Sequence, residues 1–266
     1  MDLSDAYANG AHIPGAAGYP PRWSRAAAAF RDGLGVRAEI AVSYGEGTRQ
    51  VFDLFHPDGA ARGTVIFVHG GYWRAFSQSD WSWLAAGPLA RGWAVAMPGY
   101  DLCPDVRISQ ITRQIAGAVQ AVAGRSAGPI ALTGHSAGGH LVSRMLESGL
   151  LPDAVAARLS AVVPISPLAD LAPLMQTDMN ADLRLDAAEA AAESPIRMAS
   201  RHPVPVHVVV GGDERPAFLD QSLWLAEAWG VPRTVVAGRH HFDVIDGLAD
   251  GGSELTGLVT GAGGAV

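Results

Sequence analysis

The sequence predicts an α/β fold: a mostly parallel, twisted sheet with helices on both faces and a small helical cap. Three observations carry this expectation. Short continuous apolar runs, TVIFVHGG (64–71), WAVAMPGY (93–100) and PIALTGH (129–135), read as strands buried on both faces, as in parallel sheets. Segments of helical periodicity alternate with them. Residues 166–203 form a stretch too long for a plain strand-to-helix crossover, which reads as a cap over the sheet edge rather than a second domain.

Taken in order, residues 1–35 are rich in Ala, Gly and Pro and suggest an N-terminal arm with a short helix near WSRAAAAFRDG. AEIAVSY (38–44) and QVFDLFHP (50–57) alternate apolar and polar residues, as a half-exposed hairpin does. After the strand at 64–71, SDWSWLAAGPLAR (79–91) reads as a helix with Ser79 as its N-cap. The next strand is 93–100. Beyond it, Ile108, Ile111, Ile115, Val119 and Val122 recur at steps of three and four, giving an amphipathic helix over 106–124 that ends at Gly124. The strand at 129–135 runs into AGGHLVSRMLESG (137–149), a further helix. AVVPIS (161–166), PVHVVVGG (205–212) and RTVVAG (233–238) are three more strands, the last two separated by the helix PAFLDQSLWLAEAWG. Right-handed crossovers put the C-terminal ends of parallel strands on one edge, where ligands bind in such sheets.

The 266 residues suit one large domain or two small ones, and a 48% hydrophobic content supplies a core; the pattern of elements favours a single domain. A net charge of −7, from 26 acids against 19 bases, argues against a nucleic-acid partner. No apolar run approaches the roughly 18 residues of a membrane helix. The one cysteine, Cys103, forms no intramolecular disulfide and reads as a small buried residue; with the acidic start MDLSDAYANG it points to a cytoplasmic protein.

GHSAGGH (134–140) carries the chemistry. An apolar strand enters it and a small-residue helix leaves it, the strand–turn–helix setting of a nucleophile elbow centred on Ser136. A serine hydroxyl needs a base. GRHHFDVIDGL (238–248) follows the last strand and offers His240 and His241; His241 is favoured because the apolar pattern from Phe242 onward anchors it. VHVVVGGDE (206–214) ends the preceding strand with two acids. Spacing from Gly211 puts Glu214 ahead of Asp213 as the carboxylate that orients the imidazole. The oxyanion donors expected are the backbone amides of Ala137, directly after the nucleophile, and of Gly71 and Tyr72 in HGGYW (69–73).

HGGYW resembles the His-Gly-Gly-x-Trp signature of the kynurenine formamidase (arylformamidase) branch of the α/β-hydrolases, similar in role to the His-Gly-Gly-Gly of hormone-sensitive-lipase-like esterases. YDLCP (100–104) resembles that group's Tyr-Arg-Leu-x-Pro, with Asp101 in place of Arg. GHSAGGH matches its nucleophile segment, ERPAFLDQS (214–222) its acid segment, and HHFDVI (240–245) its His-Phe segment. The resemblance covers about residues 38–250 and supports Glu214 and His241. It implies an α/β-hydrolase fold and hydrolysis of a carboxylic ester or aryl formamide through an acyl-serine intermediate, with N-formylkynurenine one candidate. No metal and no organic cofactor is expected. His69, Gly70 and Trp73 are candidates for the substrate pocket; Tyr72, Trp73 and Trp81 fit stacking on an aromatic ring and fit a buried core equally well. The expected partner is a small-molecule ester or amide, with a homodimer as the candidate assembly.

Two other readings compete. A metal-dependent amidohydrolase would draw on His240, His241 and Asp243, but His-Glu-x-x-His is missing and His135 and His140 stand five apart, off one helix face. A non-catalytic binding protein of the same fold would be marked by loss of the serine or the histidine, and both are present.

Overall fold

The computed structural model describes residues 2–261. Eight strands form one sheet: β1 (Ala38–Ser43), β2 (Val51–Phe55), β3 (Thr64–Val68), β4 (Ala94–Pro98), β5 (Ile130–His135), β6 (Leu159–Ile165), β7 (Val208–Gly211) and β8 (Arg233–Val236). Their order is β1-β2-β4-β3-β5-β6-β7-β8. The β1–β2 and β2–β4 pairs are antiparallel and the others parallel. Every residue of β3, β4 and β5 is buried, because helices cover both faces of the sheet centre. This is the mostly parallel α/β sheet that the sequence predicts. The C-terminal ends of β3, β5, β7 and β8 share one edge, and the loops leaving them carry the expected chemistry.

The core divides about the sheet. One cluster packs the helix Ile108–Arg125, through Ile108, Ile111, Ile115, Val119 and Val122, with the helix Ala137–Arg144. The other packs Trp23 from the N-terminal helix with Trp81, Leu84 and the C-terminal residues Leu248, Leu255 and Val259.

Several elements differ from expectation for identifiable reasons. The N-terminal helix runs over Tyr19–Leu34, longer than WSRAAAAFRDG, because Pro20 and Pro21 sit in its first turn, where a missing N–H costs nothing. The stretch 79–91 is not one helix. It makes 3₁₀ turns at Gln78–Asp80 and Ser82–Ala85, then the short helix Ala86–Ala90. Pro88 cannot donate within a helix running through from 79, but fits the first turn of one starting at 86. The cap there is Ser77, not Ser79: Ser77 and Asp80 bond each other's backbone in a capping box. The elbow helix stops at Arg144 rather than 149, where Ser148 N–H turns to the Ser200 carbonyl. A final helix, Glu254–Thr260, was not anticipated.

Residues 166–203 carry only short elements: a 3₁₀ turn at Ala172–Gln176, helices Asn180–Leu183 and Ala187–Glu193, and a turn at Pro195–Arg197. The first residues fold against this stretch, with Leu3 N–H donating to Gln176 O and Asp178 N–H to Ser4 Oγ.

Candidate active site

Ser136 sits between β5 and the helix Ala137–Arg144 with φ 57° and ψ −116°. A non-glycine residue at positive φ is strained, and tight packing on both sides holds it there. A Cβ on Gly138 would stand 1.9 Å from the Val68 carbonyl oxygen, and one on Gly134 2.4 Å from the Gly138 oxygen. Only glycine lets strand and helix approach this closely. Ser136 N–H donates to Ile165 O at 2.8 Å, so the neighbouring strand fixes the turn as well.

Glu214 leaves β7 through Gly211 and turns back beneath it. Its Oε1 accepts from Gly211 N–H at 2.8 Å and from the Ser166 hydroxyl. His241 Nδ1–H donates to its Oε2 at 2.6 Å. The Glu214 side chain is fully buried. The His241 ring is packed between Phe218, with centroids 4.3 Å apart, and His135, at 4.6 Å. Burial pushes His135 well below the ordinary histidine value, helped by its neighbour His241, so it is a neutral packing partner. Asp213 is exposed and its amide donates to Arg239 O at 2.9 Å; its carboxylate is not part of this pairing. His240 shares a hydrogen bond of 3.0 Å with the Tyr19 hydroxyl and does not line the cavity.

A cavity of about 630 Å³ opens at this edge, and Ser136, His135, His241, Gly71 and Tyr72 all line it. Gly71, Tyr72 and Trp73 are three successive residues at positive φ, at 110°, 50° and 55°. The amides of Gly71 and Tyr72 in that turn, and of Ala137 at the start of the elbow helix, have no acceptor among the described residues. The Tyr72 hydroxyl donates to Tyr7 O at 2.7 Å, and burial raises it far above the ordinary tyrosine value. Among the described residues, no group of three or more His, Cys, Asp or Glu is arranged to hold a metal ion.

His69, Gly70 and Trp73, expected in the substrate pocket, do not line it. His69 stacks on Tyr100 at 4.3 Å, and burial pushes its pKa down to about 4. A Cβ on Gly70 would sit 3.1 Å from Ser136 Cβ, so this glycine supports the elbow from behind. Trp73 is fully buried, edge-on to His140 at 5.0 Å. Trp81 and Arg74 do line the cavity, and Arg74 is paired with Asp182 at 2.5 Å.

Sequence reasoning missed other contributors. Tyr7, Asn9 and Trp23 from the N-terminal region, and Met179 and Asp182 from the 166–203 stretch, complete the wall. Ser166, which holds the acid, directly follows β6 at the same edge; its place at the end of AVVPIS was the available signal.

A family model described as the alpha/beta hydrolase fold matches residues 65–238. Kynurenine formamidase from Salmo salar is 29% identical over 237 residues, covering 83% of this chain and 80% of that protein. The crystal structure of a candidate thioesterase from Silicibacter sp. superposes with a TM-score of 0.97 at 58% identity, covering 98% of this chain and 99% of that one. Esterase B from Lactobacillus rhamnosis shares the fold, with a TM-score of 0.64 at 21% identity over 86% of this chain and 87% of its own. Spanning most of its sheet, the match places the chain in the alpha/beta hydrolase fold family, to which it belongs.

Proposed function

We propose that this hydrolase cleaves a small-molecule carboxylic ester or aryl formamide by acyl transfer to Ser136. One observation carries the reading: a serine on a strained elbow and an imidazole held by a buried carboxylate line the same cavity. In this mechanism His241 Nε2 takes the proton from Ser136 Oγ as that oxygen attacks the substrate carbonyl carbon. Glu214 keeps Nδ1 protonated and stabilises the imidazolium that forms. The negative charge on the former carbonyl oxygen falls to the amides of Gly71, Tyr72 and Ala137, each oxyanion donor contributing roughly 10²–10³ in turnover. His241 then protonates the leaving oxygen or nitrogen, and water returns through the same steps to release the acid and regenerate Ser136.

Trp23, Phe76, Trp81 and Phe242 give the cavity an aromatic end, which favours a flat apolar group on the substrate. The name of the Salmo salar relative favours an aryl formamide. The description of the Silicibacter protein favours a thioester, which undergoes the same acyl transfer. A cytoplasmic setting fits the single, unpaired Cys103. No helix among the described residues is long and apolar enough to cross a membrane. The deciding experiment compares kcat/KM for N-formylkynurenine, short p-nitrophenyl esters and an acyl thioester. Turnover of at least one, abolished in Ser136→Ala, supports the reading. A hydrolytic rate that survives Ser136→Ala overturns it.

A further inference from the structure

The charged end of the cavity differs from its aromatic end. Among the described lining residues, Arg74 and Asp182 are the two that carry a full charge at neutral pH; the rest are apolar, aromatic, small or uncharged polar, with His135 and His241. Arg74 follows the HGGYW turn, and Asp182 lies on the helix Asn180–Leu183. Their side chains meet at Nη2–Oδ2 2.5 Å, each a little over one-third exposed. Arginines beyond the lining are occupied as well: Arg107 pairs with Asp186 and Glu189, and Arg184 donates to the Pro104 carbonyl.

We propose that Asp182 sets the charge preference of the site: by holding the Arg74 guanidinium it makes the cavity select uncharged substrates over carboxylate-bearing ones. This deepens the acyl-transfer reading, rests on it and narrows it: N-formylkynurenine, which carries an α-carboxylate, is then a poorer substrate than an uncharged aryl formamide. A substrate carboxylate entering this end meets an arginine already neutralised, and beside it a carboxylate of like charge. It gains a strong charge-assisted bond only by displacing Asp182, whose own charge is then left unanswered. An uncharged group has no such conflict. Specificity here comes from an element that repels the wrong substrate as much as from one that attracts the right one.

The test uses matched pairs of aryl esters. Phenyl acetate against 4-acetoxybenzoate places a carboxylate on the leaving group, and phenyl pentanoate against the monophenyl ester of glutaric acid places it on the acyl group. The wild-type protein is expected to prefer the uncharged member of each pair. Asp182→Asn frees Arg74 and is expected to raise the charged-to-uncharged ratio of kcat/KM by about tenfold, roughly the effect of one charge-assisted hydrogen bond, in at least one pair. The pair that responds identifies the side of the scissile bond facing Arg74. In Arg74→Gln/Asp182→Asn the gain disappears, which separates charge recognition from a loosened wall. A wild-type preference for the charged esters, or ratios unmoved by Asp182→Asn in both pairs, overturns the proposal. If no ester is turned over by the wild-type protein in a Ser136-dependent way, the acyl-transfer reading fails instead.

Discussion

The part of the cavity wall that carries Ser136, Gly71 and Tyr72 hangs from the ends of β3 and β5, strands buried along their whole length. The part formed by Tyr7–Ala11, Met179 and Asp182 is made of 3₁₀ turns and a single-turn helix. It is tied down by a few hydrogen bonds and ion pairs, among them Tyr72 to Tyr7, Arg74 to Asp182 and Arg215 to Asp5. The first wall needs positional accuracy, since a nucleophile and oxyanion donors must meet one atom. The second needs only to fit a substrate, and short tethered segments suffice for that. On the proposed reading, chemistry and selectivity are built from different materials.

If that division holds, perturbing the first wall destroys turnover and perturbing the second retunes it. Ser136→Ala is expected to lower kcat by roughly 10³-fold or more with the unfolding midpoint unchanged; near-normal kcat breaks the division at its root. Glu214→Gln comes next. It leaves a group of the same shape beside His241 but removes the charge, so a fall in kcat of roughly 10²–10⁴ is expected. Asp213→Asn, at an exposed position, is expected to stay within about threefold. Steady-state rates on one ester decide between them, and the reverse order would move the acid to Asp213.

The buried scaffold behind the first wall is also acid-sensitive. Burial pushes His69 down to about 4 and His140 to about 3, and holds His135 well below its ordinary value. Each of the three therefore binds a proton more readily in the unfolded chain. Their contribution to stability is complete above the unfolded value near 6.5 and declines as pH falls below it. The slope is up to about 1.4 kcal/mol per pH unit for each histidine. Denaturant titrations at pH 7, 6 and 5 are expected to show the decline, and a flat stability over that window contradicts the buried, neutral assignment. The smallest effect belongs to the tether between the two walls. Tyr72→Phe removes the hydroxyl that donates to Tyr7 O and is expected to cost about 1 kcal/mol. KM is expected to shift more than kcat; a change in kcat alone would tie this segment to the chemistry.

The same contrast explains what the sequence revealed. Strands β3, β4 and β5 announce themselves because burial on both faces leaves an uninterrupted apolar run between glycines. The elbow is readable because sterics restrict Gly134 and Gly138 to one residue type. Glu214 and His241 follow from their places at strand ends, and the structure joins them by a hydrogen bond. The second wall was illegible. Tyr7 and Asn9 lie in a segment without periodicity, and Asp182 in a helix of four residues. Their positions depend on contacts more than 60 residues away in the chain, such as Tyr72 with Tyr7 and Arg74 with Asp182. His69, Gly70 and Trp73 were expected in the pocket, but His69 stacks on Tyr100, Gly70 packs against the elbow and Trp73 lies against His140, contacts remote in sequence.

The most direct measurement is covalent trapping. Incubation with a fluorophosphonate, followed by peptide mass spectrometry, is expected to place one adduct on Ser136, with labelling rate and activity lost in parallel. Labelling is expected to be unaffected by a chelator, lost in Ser136→Ala and strongly slowed in His241→Ala. Full hydrolytic activity in protein whose Ser136 stays unmodified, or an adduct on another side chain that accounts for the lost activity, would contradict the account.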